Sequence, residues 1–468
     1  MQVEEFLIGI VIILVVAKLF GELFRRLKQP ALVGELLAGM ILGPSLFGLF
    51  HPTDAFSVFQ GLAVFFLMFL AGMEMNIKEI KKASKRAVVI SMMAFFVPFF
   101  AGHQLGLFFG LTDIQSLFIG LLLSITAIPV SALILMEFGM LKNKIGNTVI
   151  TAAVINDILA LLVLTVILQL PADDVGGSIN FTDTGTSLLK ISLFFASIVG
   201  LVLILNKKSL HVSQNVDRFI SKLKTKEAGF GILLILAISF SLFAHYSDLH
   251  FMVGAFFAGL IFGKNFSQKH GKRASGLVTG FTFALFAPIF FALIGLEFNV
   301  NSLMNSMPLF ISLLSVAIAT KIGAGYFAAR ITRFTHNEGL VIGCLMNGRG
   351  MVELAIASIG FSVGILDESL FSIAIAIGFL TTILTPIIAK PFVEKLKQRQ
   401  IEDQNNEIKS INEQFDFSEL NRITKTLESK VSMDETGPPL VIKQNQKQIL
   451  KAFQNIPLID ELGSESRE

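Results

Sequence analysis

The chain has 468 residues, of which 53% are hydrophobic and 16% are charged, with a mean hydropathy of +0.71 and a net charge of +3. This composition excludes a water-soluble globular enzyme and requires many transmembrane helices. The single cysteine, Cys344, excludes an internal disulfide bond. The first apolar stretch follows Glu4 and Glu5 rather than a basic run, which predicts a retained span and not a secretory signal.

In chain order, the apolar segments predict an all-α polytopic membrane protein with about 13 transmembrane helices, since a helix needs about 20 apolar residues to cross the bilayer. Short polar breaks separate several neighbours, so twelve or fourteen spans remain open. The predicted spans cover residues 5–24, 30–48, 55–75, 87–110, 114–138, 147–170, 187–206, 229–246, 249–264, 275–296, 304–330, 338–362 and 368–393.

The charges of the connecting loops support this count and predict an orientation. Loops that follow odd-numbered spans hold 22 lysines and arginines, whereas the loop at 171–186, like the others that follow even-numbered spans, holds none. Positive charge is retained on the cytoplasmic side of a membrane. We therefore expect a multi-pass protein of the cell membrane with its amino terminus outside and its carboxyl terminus in the cytoplasm.

Two pairs of similar segments indicate an internal duplication. VGELLAGMILGP at 33–44 resembles VGAFFAGLIFGK at 253–264, and AGMEMNI at 71–77 resembles IGLEFNV at 294–300. The pairs join span two to span nine and span three to span ten, so seven spans separate the copies and they face opposite ways. Inverted-topology repeats are typical of secondary transporters, which bind substrate near the bilayer midplane.

The same offset aligns two segments that are poor continuous helices. LSITAIPVSA in span five contains Pro129, and LMNGRGMVEL in span twelve contains Gly348 and Gly350. Proline removes a helical hydrogen bond and glycine weakens a helix. Paired interrupted segments in the two halves predict the position of a transport site.

Asp157, in the middle of span six, is the only ionisable residue between Lys144 and Asp173. A carboxylate near the bilayer centre costs roughly 2.5–3.5 kcal/mol on insertion scales, so such residues usually line an ion or proton path. This residue therefore indicates an ion-handling membrane protein.

Depth estimates group further polar residues with Asp157. At a rise of about 1.5 Å per residue, Asp157, Lys321, Thr126 and Arg349 each lie about 13–18 Å from the inner ends of their spans. A lone charge in this layer is expensive, so we expect Lys321 to pair with Asp157 or Asn156.

These residues predict competition between a proton and an alkali cation for one carboxylate. Oxygen ligands suit hard cations, so Ser124, Thr126 and backbone carbonyls near Pro129 are candidate ligands beside Asp157. Asn156 can orient the carboxylate but carries no charge. One titrating carboxylate predicts the exchange of one cation for one proton.

Structural roles remain open for each charged residue. An Asp157–Lys321 pair could only hold helices together, and Lys321 could offset the dipole of a broken helix. Arg349 and Glu353 are four residues apart and could pair on one helix face. Glu74 lies near a span end, where a carboxylate reaches water.

LSITAIPVSALILMEFG and AAVINDILALLVL, with QPALVGELLAGMILGP before them and GRGMVELAI after them, resemble the monovalent cation:proton antiporter-2 family over residues 5–395. The resemblance implies a homodimer with two crossing discontinuous helices, spans five and twelve. It also implies a dimer panel of spans 1–3 and 8–10, and a core of spans 4–6 and 11–13 that moves like an elevator.

The resemblance also assigns roles to single residues. Asp157 matches the ion-binding carboxylate, Asn156 its partner position and Lys321 the basic residue before the second crossing helix. The Asn-Asp form implies electroneutral exchange. Some relatives carry an acid where this chain has Ala127, and this departure leaves the compensation of the helix dipoles unexplained.

After the membrane domain at 1–393, residues 394–468 form a polar tail without a glycine-rich phosphate loop. We expect a solvated, partly disordered segment there, with a regulatory or docking helix as the alternative.

The predicted function is Na+/H+ antiport in the lipid bilayer, without enzymatic activity, cofactors or nucleic-acid partners. K+/H+ exchange is the nearest alternative, because no motif selects cation size. A cation channel or a sensor built on a transporter scaffold is a further alternative.

Overall fold

The computed structural model describes residues 3–50, 54–75, 84–141, 143–170, 227–247, 249–263 and 271–414, together with isolated residues between 190 and 222. All regular elements in these ranges are helices, as the sequence predicts. Most of predicted span seven, at 187–206, and the tail after residue 414 lie outside the described residues.

Sixteen α-helices are described in these ranges. A π-helical segment, Thr282–Phe286, joins the helix that ends at Phe281 to the helix that begins at Ala287. Their bounds are α1 Val3–Arg26, α2 Ala31–Leu42, α3 Asp54–Glu74, α4 Lys85–Phe108, α5 Asp113–Ser124, α6 Ile128–Glu137, α7 Lys144–Ile167, α8 Ala228–Tyr246, α9 Phe251–Phe262, α10 Gly271–Phe281, α11 Ala287–Leu296, α12 Val300–Asn305, α13 Met307–Ile331, α14 His336–Met346, α15 Met351–Ser362 and α16 Glu368–Gln414.

Nine spans in the described ranges are long and apolar enough to cross a membrane, or ten if the bent pair α14 and α15 forms one span. The predicted number of thirteen is therefore not confirmed. The difference comes partly from α2 and α9, which have 12 residues each. At about 1.5 Å per residue they are roughly 18 Å long, short of the roughly 30 Å hydrocarbon layer. Gly43 and Gly263 follow their last turns.

The predicted duplication appears in the packing of α2 on α11 and of α9 on α3. A Cβ atom added to Gly39 of α2 would lie 1.9 Å from the carbonyl oxygen of Ala292. One added to Gly259 of α9 would lie 2.1 Å from the carbonyl oxygen of Phe69. GELLAG and GAFFAG therefore mark equivalent places where two helix backbones touch, as small residues allow in membranes.

A second equivalent pair of contacts confirms the repeat. Gly102 of α4 faces Gly120 of α5, and Gly325 of α13 faces Gly343 of α14. An added Cβ would come within 2.9 Å of the opposite Cα in the first pair and within 2.8 Å in the second. In each copy, a long helix (α4 or α13) thus packs closely against the half-helix that precedes the interruption (α5 or α14).

The helices of the described part pack mainly in two sets. The first set contains α1–α3 and α8–α11, and the second contains α4–α7 and α13–α15. The main helix contact between the sets joins α15 to α3. The interrupted helices and Asp157 all belong to the second set.

The last helix differs from the prediction. We expected the final span to end at 393 and a polar tail to begin there, but α16 continues as a helix to Gln414, through Pro386 and Pro391. Residues 394–414, at the start of the polar tail, are therefore helical. The chain divides into two compact units between Leu396 and Lys397.

Candidate ion-binding site

The two interrupted helices meet backbone to backbone. Between α5 and α6 the chain is extended, and the amide of Ala127 donates a hydrogen bond of 2.7 Å to the carbonyl of Gly348, in the break between α14 and α15. A Cβ at Gly350 would lie 2.8 Å from the Cβ of Ala127, so glycine permits the close approach. The sequence therefore predicted the interruptions correctly.

Two buried cations cover the end of α5. Arg349 donates to the carbonyls of Leu122 and Leu123 at 2.8 and 3.1 Å. Lys321 donates to the carbonyl of Ser124 at 2.5 Å. The last carbonyls of a helix lack intrahelical partners and carry the negative end of its dipole. These two side chains therefore explain how the dipole of the first half-helix is compensated.

Lys321 does not form the expected direct ion pair with Asp157. Besides Ser124, its ammonium donates to the carbonyl of Ala94 at 2.9 Å and to the hydroxyl of Thr126 at 2.7 Å. An ammonium has three protons to donate, and all three are used here. Backbone carbonyls, one of them exposed by the broken helix, therefore accept hydrogen bonds from the Lys321 ammonium in place of the expected Asp157 carboxylate.

Asn156 is held by two hydroxyl groups and not by Lys321. Its amide nitrogen donates to Thr126 Oγ1 at 3.0 Å, and its amide oxygen accepts from Ser91 at 2.5 Å. Sequence reasoning missed Ser91, although a serine within the apolar run VVISMMAFF of α4 was a detectable signal. The side chain of Asn156 is therefore fixed on the side of α7 that faces α4 and α5.

The expected cation ligands Ser124 and Thr126 are engaged elsewhere. Ser124 Oγ donates to the carbonyl of Leu121 at 2.7 Å. Thr126 Oγ1 donates to the carbonyl of Met346 at 3.2 Å while it accepts from Lys321 and Asn156. Neither residue lines the pocket beside Asp157. The predicted ligand shell is therefore not assembled in this conformation.

Asp157 is 3% exposed, and its Oδ1 atom has no hydrogen-bond partner. It lines a pocket of about 20 Å³, close to the volume that one water needs. The first residues of α6 and α15 also line this pocket: Ile128, Pro129, Met351 and Val352. The positive ends of two helix dipoles thus face the carboxylate.

A larger cavity of about 940 Å³ adjoins this pocket. Glu74, Ala127 and Pro129 belong to the walls of both. Arg25, in the last turn of α1, and Gln29, in the connection after it, line the larger one. Glu74 is exposed. The pocket of Asp157 therefore lies beside a cavity wide enough for a hydrated ion.

The predicted pair of Arg349 and Glu353 is present, with 2.7 Å between Nη1 and Oε1 and both side chains buried. Thr382 donates to the carbonyl of Arg349 at 3.0 Å, a contact that the sequence did not indicate. The pair therefore anchors the start of α15 while Arg349 reaches the end of α5.

The helical fold, the crossing half-helices and the buried carboxylate beside a cavity define a secondary antiporter. The family model described as "Sodium/hydrogen exchanger, transmembrane" matches residues 11–395. The chain therefore belongs to the sodium/hydrogen exchanger family, whose members are transporters and not enzymes. The resemblance to monovalent cation:proton antiporters is confirmed as a class, although the antiporter-2 label differs from that of the matching model.

Two relatives illustrate the similarity. The Na(+)/H(+)-K(+) antiporter GerN of Bacillus cereus is 31% identical over 389 residues, which cover 82% of this chain and 96% of the relative. The Na(+)/H(+) antiporter of Enterococcus hirae is 29% identical over 391 residues, which cover 83% of this chain and 98% of the relative.

A solved structure shares the fold. The sodium proton antiporter MjNhaP1 from Methanocaldococcus jannaschii, at pH 8, aligns with a TM-score of 0.63 and 17% identity, over 85% of this chain and 99% of that one.

Proposed function

We propose that this protein exchanges Na+ for H+ across the cytoplasmic membrane and that Asp157 binds the two ions in turn. The observation that supports this most is the unpartnered Oδ1 atom of a buried carboxylate beside an open cavity. Because Lys321 and Arg349 donate to backbone carbonyls, to Thr126 and to Glu353 rather than to Asp157, the carboxylate keeps an acceptor for a proton or a cation.

Competition at one carboxylate is sufficient for exchange. Na+ prefers oxygen ligands and needs the ionised carboxylate, so a bound proton excludes it. Asn156 is neutral and held by Ser91 and Thr126, so it adds no second charge. One Na+ for one H+ moves no net charge, and we therefore infer electroneutral exchange.

Alternating access requires the carboxylate to face each side in turn. We propose that the first set of helices is the dimer panel of a homodimer and that the second set, together with α16, is the mobile core. Gln60 of α3 donates to Ser358 of α15 at 3.0 Å, and Asn299 donates to Glu368 of α16 at 2.6 Å. Gln60 lies about 21 Å along α3 from Glu74 in the cavity wall. These contacts close the side opposite the cavity.

The basic loops support a cytoplasmic opening for the cavity. Arg25 and Lys28, which line it, belong to the first basic loop. By the positive-inside rule this side is cytoplasmic, with the amino terminus outside and the carboxyl terminus inside. The described conformation is then the inward-open one.

Proton flux in everted membrane vesicles tests the function. Addition of Na+ should dissipate a preformed pH gradient with the wild type, and Asp157→Asn should abolish this at equal expression. The matched control Asp113→Asn, at the exposed start of α5, should behave as the wild type. Equal dissipation by Asp157→Asn and the wild type would refute the assignment.

Two further arms of this experiment define the exchange. K+ in place of Na+ tests the alternative of K+/H+ exchange, which the similarity to the Na(+)/H(+)-K(+) antiporter GerN supports. In proteoliposomes, an imposed membrane potential should leave the Na+-driven rate unchanged if exchange is electroneutral. A rate that follows the potential would contradict the one-to-one ratio.

A further inference from the structure

A second cavity, of about 470 Å³, lies at the beginnings of α4 and α7, away from Asp157. The described residues that line it include three cations, Lys85, Arg86 and Lys144, and no carboxylate. The proposed transport mechanism uses none of these residues. The other described residues of the wall are polar and neutral, so the described part of the wall carries only positive charge.

The three cations are not compensated within the described part of the chain. None of them has a carboxylate oxygen within 4 Å there. Arg86 and Lys144 instead lie 5.4 and 4.6 Å from the ring centroid of the same residue, Phe334. A cation–π contact contributes only about 0.5–1 kcal/mol at an exposed site, and cations gathered at one ring repel each other.

The local structure adds to the positive potential. Ser84 caps α4 and accepts from the amide of Ala87 at 3.2 Å, which leaves its hydroxyl proton to donate. Asn143 caps α7 in the same way. Both helices therefore direct the positive ends of their dipoles toward the region of the three cations. Loop lysines that only set the orientation of a membrane protein need not converge on one concave wall.

We propose that this cavity binds a phosphate-bearing anion. A phosphate group offers several acceptor oxygens to Lys85, Arg86 and Lys144, and charge-assisted hydrogen bonds of this kind are the strong ones. The anion joins the beginning of α4 to that of α7. These helices meet again at the bond between Ser91 and Asn156, beside Asp157. The site does not depend on which cations the protein transports.

Thermal unfolding of the full-length protein measures this binding, because a ligand of the folded state raises the midpoint. In one arm, inorganic phosphate or pyrophosphate is titrated into detergent-solubilised protein at constant ionic strength. In the other, the protein is reconstituted in phosphatidylcholine vesicles with or without phosphatidylglycerol. The first arm detects a free phosphate ligand, and the second detects a lipid headgroup.

The test variant is Lys85→Gln/Lys144→Gln, and the matched control is Lys390→Gln/Lys395→Gln, two exposed lysines of α16 outside the cavity. We expect the wild type and the control to be stabilised in at least one arm. The test variant should need at least about tenfold more ligand for the same shift, because two of three charge-assisted contacts are lost. Lys85→Gln alone, at an exposed position, should show an intermediate shift. Equal responses of test variant and control in both arms, or no response of the wild type, would overturn the proposal.

Discussion

The two half-helices that end at the crossing point have equivalent positions in the duplication but different chemistry at their ends. The end of α5 is covered by two cations, Lys321 and Arg349. The end of α14 is covered by two hydroxyls: Ser131 donates to Leu345 at 2.6 Å and Thr126 donates to Met346. The two copies therefore share the backbone geometry, whereas charged side chains cover only the end of α5.

This difference balances the buried charge. Around the crossing helices, the second half contributes Lys321, Arg349 and Glu353, and the first half contributes Asp157; Glu35, in α2, is buried apart from them. With Asp157 ionised, the formal charges of these four groups around the crossing helices sum to zero. A proton or Na+ on Asp157 changes this balance by one charge, which gives the empty and loaded core different electrostatic energies. The following substitutions test whether the side chains that cover the end of α5 contribute more to the free energy of unfolding than those that cover the end of α14.

The largest effect is expected for Arg349→Met. This change leaves Glu353 as an unpaired buried charge and uncovers two carbonyls of α5, which should lower stability by about 3–5 kcal/mol. The measurement is the thermal midpoint of the purified protein. Arg349→Met/Glu353→Gln should recover much of the loss, because position 353 then no longer carries a buried charge that has lost its partner. A double variant as unstable as Arg349→Met would contradict the role of charge.

Lys321→Met should cost less, about 2–4 kcal/mol, because it leaves the acceptors at Ala94, Ser124 and Thr126 unpaired but no direct partner carboxylate. Lys321→Gln, which keeps two donors, should restore part of the midpoint. Combination with Asp157→Asn should restore none of it. Full rescue by Asp157→Asn would indicate a direct ion pair, as the sequence suggested.

Gly350→Ala should cost about 1–3 kcal/mol, since it overpacks the crossing point against Ala127. Ala127→Gly/Gly350→Ala removes the opposing Cβ and should recover stability relative to Gly350→Ala, as the thermal midpoint would show. If the double variant unfolds at the temperature of Gly350→Ala, the close approach of the two segments is not the cause.

The smallest effect is expected for Ser131→Ala at the neutral end, about 1 kcal/mol for one lost hydrogen bond. Ser315→Ala is the control, because Ser315 is exposed and donates only to the carbonyl of Ile311 in its own helix. The comparison between the two ends fails if Ser131→Ala lowers the midpoint as much as Lys321→Met.

Much of the fold followed from the sequence. Apolar segments predicted the helices, Pro129 and Gly348 predicted the interruptions, and the pair Arg349–Glu353 followed from a spacing of four residues. The length of α2 did not follow, because the turns and irregular chain after Gly43 remain apolar in composition. The extension of α16 to Gln414 did not follow either, because hydropathy marks the end of an apolar segment and not of a helix.

The sequence by itself determined that a lone carboxylate, Asp157, lies within a membrane span, because its energetic cost depends only on its apolar neighbours. Tertiary structure decided which groups partner the nearby charges. Lys321 donates to carbonyls of α4 and α5 instead of Asp157 because broken helices expose acceptors whose positions depend on packing. The spacing of residues along the chain does not determine the positions of these acceptors. Because Lys321 is bound to them, Asp157 Oδ1 has no hydrogen-bond partner.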